Sequence, residues 1–233
     1  MTWVKICGMT NLEDALTAAE AGADAVGFVF YEKSPRNVSI EAAREIVEKL
    51  PASVEKVGVF VGETAETVLE ISEKVELTIV QTYPDFRNPL SIPNDRFLEK
   101  ALFRVIVALP ASQMHQEESQ DPDVISGFRA SSKFRERVVA VLLDSGTSNR
   151  PGGTGKKFDW LSAVPMTDLM SHIGIRLIVA GGLTPESVGD SMRALNPWGV
   201  DVVSGVEASP GKKDPGKVRA FVRAVRDADR KAG

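Results

Sequence analysis

The sequence predicts a single-domain α/β fold, the eight-stranded (β/α)8 TIM barrel, and three observations predict it. Eight short Val- and Ile-rich runs recur along the 233 residues. They are almost continuously apolar, as strands buried on both faces of a parallel sheet are. Segments of helical spacing, several opened by a capping residue, stand between them. Eight βα units in a chain of this length are the least that a closed barrel can be built from. A doubly wound open sheet is the alternative, for which eight strands would be many.

In order, the strands are WVKIC (3–7), AVGFVF (25–30), KVGVFV (56–61), LTIVQ (77–81), FRVIVAL (103–109), VVAVLLD (138–144), IRLIVAGG (175–182) and a last run over 201–206. Asn11 precedes LEDALTAAEAG, whose Leu and Ala residues fall at helical spacing and which stops at Gly22. Ser39 opens IEAAREIVEKL, which ends before Pro51. Thr64 opens a helix with Glu66 in its first turn. Thr184-Pro185-Glu186 supplies a cap, a first-turn proline and an acid before SVGDSMRAL, and Asp214-Pro215 does the same for the last helix. The helical pattern is faintest after strands four and five. Two polar, proline-containing excursions, 82–94 and 110–123, interrupt the rhythm there, where a barrel carries either lids or plain surface loops.

Composition narrows the function. Hydrophobic residues are 43% and charged residues 26% of the chain, with a net charge of −4. That balance suits a globular core and argues against a nucleic-acid partner held by overall charge, though a local basic patch could still hold a phosphate. One cysteine excludes an internal disulfide and a multi-Cys zinc site, and fits a reducing compartment. Charges as early as Lys5 and Glu13 speak against a signal peptide, and no apolar run reaches the roughly 18–20 residues of a membrane span. A cytoplasmic protein with a small-molecule ligand, no membrane partner and no nucleic acid is expected. Monomer is the default, with a dimer also allowed.

The C-terminal ends of barrel strands form the catalytic face. Cys7-Gly8, the turn Ser34-Pro35-Arg36, Gln81, Asp144, Gly181-Gly182 and Ser204-Gly205 all fall there. Glycine-rich turns after strands seven and eight let backbone N–H groups approach a phosphate; tight βα turns are the plainer reading of either alone. Asp144 follows six apolar residues, so it is a structural acceptor or a general acid/base. Cys7 is a small core residue or a reactive thiol. Lys5 lies two residues away on the same face of its strand and needs a carboxylate, for which Asp201 is the candidate. Arg36 could clamp a carboxylate with its planar fork or be merely solvated. The segment GGTGKKFDW starts flexibly and ends on aromatic anchors, which suits a loop that orders over substrate.

VKICGMTNLEDA, GADAVGFVF, SPRNVSIEAA, KVGVFV, LLDS with GGTGKKFDW, AGGLTPESV and GVDVVSGVEASPGKKD together resemble the phosphoribosylanthranilate isomerase family of tryptophan biosynthesis, from residue 3 to about 228. The resemblance implies an Amadori rearrangement of N-(5-phosphoribosyl)anthranilate without cofactor or metal. It makes Cys7 the general base and Asp144 the general acid, on opposing sides of the ring. It gives substrate contacts to Arg36, to Gln81, to Gly152 and Gly153 of the GGTG loop, and to Gly181, Gly182, Ser204 and Gly205 at the phosphate. One departure stands out: after strand four the family reads VQLHG, and this chain reads VQTYPDF. Gln81 matches, the histidine does not, and Tyr83 or Phe86 offers an aromatic face instead. A related barrel isomerase acting on a histidine-pathway aminoaldose, and a non-catalytic phosphate-binding barrel, are the competing readings.

Overall fold

Residues 1–83, 95–110, 136–144, 167, 170, 172 and 174–232 are described by the computed structural model. Eight parallel strands close into a barrel in chain order: β1 (Trp3–Cys7), β2 (Ala25–Phe30), β3 (Glu55–Phe60), β4 (Ile79–Thr82), β5 (Arg104–Pro110), β6 (Val138–Asp144), β7 (Leu177–Val179) and β8 (Gly199–Val202). β8 pairs back onto β1, with Lys5 opposite Asp201. Closure leaves the eight barrel strands without a free edge.

The pleat sorts side chains into two apolar layers. Inside lie small and branched residues such as Ala25, Val57, Ile79, Ile106, Leu142 and Ile178. Outside, Val4, Ile6, Val26, Phe28, Val80 and Val200 meet the helices. Trp3 and Trp198 stack at 5.3 Å across the N-terminal mouth, with the Arg176 guanidinium over the Trp198 ring.

The helices described are α1 (Leu12–Glu20), α2 (Ile40–Val47), α3 (Ala65–Val75), α4 (Asp95–Lys100), α5 (Val188–Leu195) and α6 (Pro215–Ala232). Asn11, Ser39 and Thr64 each accept a hydrogen bond from the backbone N–H three residues on, as expected of N-caps. Asp214 does the same for Lys217 at the start of α6. The reading at Thr184 is corrected. Ser187 Oγ accepts from the Thr184 backbone N–H, so 184–187 closes as a turn and α5 begins only at Val188. The last strand also differs from expectation: β8 ends at Val202, and Ser204–Val206 tightens into a 3-10 turn. A short antiparallel hairpin follows, β9 (Glu207–Ser209) and β10 (Lys212–Lys213), which the sequence reading did not foresee. Residues 84–94 and 111–123 of the two excursions lie outside the described residues.

Candidate active site

The site is built from the C-terminal ends of the strands upward. On β1 the alternation that sends Val4 and Ile6 outward turns Lys5 and Cys7 inward. Lys5 is completely buried and its Nζ donates to Asp201 Oδ1 at 2.8 Å. The expected pairing of strands one and eight is therefore present. Burial alone would pull Lys5 down; the Asp201 carboxylate and the Cys7 sulfur together outweigh it and hold the ammonium above its ordinary value.

Cys7 is only 4% exposed. Burial pushes its thiol up; the Lys5 and Lys213 ammonium groups oppose this, while Asp201 adds to it. The thiol thus faces a polar cluster with two cations. Asp144, at the end of β6, is also buried. Its Oδ2 accepts a hydrogen bond from the Tyr83 hydroxyl at 3.3 Å, and that hydroxyl is within 3.4 Å of Gln81 Nε2. Tyr83 packs its ring against the inner apolar layer. Burial and then the nearby Asp144 and Cys7 groups raise its phenol well above the usual value, so it remains a donor. Gln81 is buried, and its Oε1 has no hydrogen-bond partner among the described residues. A buried orphan acceptor is costly to keep and marks a place for a ligand donor.

Gly181, Gly182, Ser204 and Gly205 come together around one pocket that Asp144 and Asp201 also line. Gly181 and Gly182 have φ of 85° and 65°, the left-handed region that suits glycine. Gly205 is required for a different reason: a Cβ there would fall 1.8 Å from the Leu183 carbonyl oxygen. The turns after β7 and β8 are therefore in close backbone contact at this pocket.

Arg36 is neither solvated nor in that pocket. Its Nε and Nη2 donate to Glu207 Oε1 and Oε2 at 2.8 and 2.7 Å. Glu207 Oε1 also accepts from Lys213 Nζ at 3.0 Å and from the Gly211 backbone N–H at 3.2 Å. Burial pulls the Glu207 carboxyl up, but the two cations hold it below its ordinary value. Gly152 and Gly153 of the GGTG loop, like Phe86, lie outside the described residues. Glu207 and Lys213 stand in the SGVEASPGKKD motif, where the sequence alone assigns them no role. A carboxylate and lysines flanking a Pro-Gly turn, the letters of a hairpin with facing charges, was the available signal.

A closed (β/α)8 barrel with a thiol, carboxylates and glycine turns gathered at one mouth defines the class: a barrel enzyme with its chemistry at the strand ends. The model for N-(5'-phosphoribosyl)anthranilate (PRA) isomerase matches residues 4–224. The N-(5'-phosphoribosyl)anthranilate isomerase of Trichlorobacter lovleyi is 42% identical, covering 98% of this chain and all of the relative. The crystal structure of the isomerase from Thermotoga maritima superimposes with a TM-score of 0.77 at 40% identity, over 97% of this chain and all of that one. A phosphoribosyl anthranilate isomerase solved with reduced 1-(o-carboxyphenylamino)-1-deoxyribulose 5-phosphate gives 0.74 at 37%, with the same coverage. The chain belongs to the phosphoribosylanthranilate isomerase family. It is an isomerase of tryptophan biosynthesis.

Proposed function

We propose that the chain rearranges N-(5-phosphoribosyl)anthranilate to 1-(2-carboxyphenylamino)-1-deoxyribulose 5-phosphate with Cys7 as general base and Asp144 as general acid. Asp144 gives a proton to the ribose ring oxygen as the C1–O bond breaks, and the anthranilate nitrogen lone pair forms the C1=N bond. That Schiff base acidifies the proton on C2, which the Cys7 sulfur removes. The enolamine then takes a proton at C1 and loses one from the C2 hydroxyl, leaving the ketone. Protons move and no electrons leave the substrate, so the balance calls for no cofactor.

The observation that carries this reading is Tyr83. Its hydroxyl reaches Asp144 on β6 and it interacts electrostatically with Cys7 on β1, which supports a thiol and a carboxyl working at one mouth of the barrel. The glycine turns after β7 and β8 would hold the phosphate, Arg36 the anthranilate carboxylate, and the orphan Gln81 Oε1 a donor group of the substrate. Gly152 and Gly153 would contact the substrate, as the family resemblance implies. We place the enzyme in the cytoplasm, as a monomer by default with a dimer also allowed; among the described residues no helix is long and apolar enough to cross a membrane.

Complementation of a tryptophan auxotroph lacking this isomerase, paired with steady-state kinetics, tests the assignment. The wild type restores growth, and Asp144→Asn and Cys7→Ala each lower kcat by about 100-fold or more. Wild-type turnover by Cys7→Ala would remove the base assignment, and by Asp144→Asn the acid.

A further inference from the structure

We propose that Glu207 is the positioning residue of the substrate-carboxylate clamp: it takes one edge of the Arg36 guanidinium and so sets the plane in which the Nη1 end meets the aromatic carboxylate. The proposal rests on Arg36 being that clamp. A guanidinium carries five N–H donors in a rigid fork. Glu207 takes the Nε–H and one Nη2–H through both of its oxygens, which leaves the end of the fork, two N–H on Nη1 and one on Nη2, for a second carboxylate.

The carboxylate is itself held in place. Lys213 faces Glu207 across the β9–β10 hairpin, and its fully buried Nζ donates to Oε1. The hairpin is tied to the loop that follows Cys7. The Lys213 backbone N–H donates to Asp14 Oδ2 at 2.7 Å, and Thr10 Oγ1 donates to the Gly211 carbonyl at 2.5 Å. The stem of Arg36 lies over Gly8, where a Cβ would fall 2.9 Å from Arg36 Cδ. The clamp is thereby placed beside the base, and Cys7 and Arg36 interact electrostatically. This suits a substrate whose carboxylate sits on the ring bonded to the C1 nitrogen, one carbon from the proton to be removed.

Surface pairs are worth little, but a buried bidentate pair with a third partner is geometrically over-determined and does not rotate freely.

The test uses Glu207→Gln, which keeps shape and removes charge, with Glu207→Asp as a second variant that can bridge only part of the fork. Each is assayed on N-(5-phosphoribosyl)anthranilate and on N-(5-phosphoribosyl)aniline, which lacks the carboxylate, with Arg36→Ala alongside. We expect Glu207→Gln to raise KM for the anthranilate about ten- to hundredfold with kcat within a few-fold. On the aniline the loss in kcat/KM should be much smaller than on the anthranilate, and inhibition by inorganic phosphate should be unchanged. Glu207→Asp should fall between. Equal losses on both substrates would overturn the proposal, because they would mean general loosening of the site. Wild-type KM in Glu207→Gln while Arg36→Ala is impaired would overturn it for Glu207 alone. Wild-type KM in Arg36→Ala would overturn the clamp and this proposal together.

Discussion

Tyr83 shows how a single residue can take a place that the family pattern gives to another. The family motif after strand four carries a histidine, and here a phenol packs into the barrel and turns its hydroxyl to Asp144. In the reaction we propose, Asp144 gives up its proton and becomes a carboxylate, and a donor already aimed at Oδ2 would interact more strongly with that charge. Such an interaction favours the transition state over the ground state. Tyr83→Phe keeps the ring and removes the donor. It should lower kcat about three- to thirtyfold while leaving KM within a factor of about two, measured under saturating substrate. Tyr83→His, which restores the family residue, should recover part of the loss.

At the scale of elements, the glycines at the ends of β7 and β8 decide how the two turns meet. Gly205 touches the Leu183 carbonyl so closely that any side chain must move backbone, not a flexible chain end. Gly205→Ala should destabilise the fold by about 2–4 kcal/mol in chemical denaturation and should weaken phosphate binding at the same time. The helix starts tell a milder story. Asn11, Ser39 and Thr64 were readable as caps because a cap is a contact over three residues, and its geometry needs no tertiary partner. Thr184 was misread for a related reason. Ser187 lies three residues on and offers a competing hydroxyl, which closes a turn before the helix can begin.

The whole molecule couples its electrostatics to closure of the barrel. Lys5–Asp201 and Arg36–Glu207–Lys213 are buried and join the start of the chain to its end. Glu207 has its carboxyl depressed in the folded state, as has Asp229, which accepts from the Thr2 backbone N–H and hydroxyl. A depressed carboxyl contributes stability that is present above its unfolded value and lost as pH falls through the folded one. Stability should therefore be flat from neutrality down to about pH 5 and decline below 4.5, the ordinary glutamate value. In Glu207→Gln that acid decline should be shallower, starting from a lower plateau, as read from urea midpoints against pH.

By itself the sequence determined the eight-fold βα rhythm, most of the helix starts, and the presence of Cys7, Asp144 and the glycine turns at strand ends. Each of these is written in neighbours a few residues apart, through side-chain period, caps and turn chemistry. Barrel topology already made Asp201 the expected partner of Lys5, 196 residues away. Only the tertiary structure joined Arg36 to Glu207, 171 residues apart, and Tyr83 to Asp144, 61 apart. No local pattern carries those two pairings. They follow from the strand register that closure of the barrel imposes, which sets Lys5 opposite Asp201 and seats a late hairpin on an early loop.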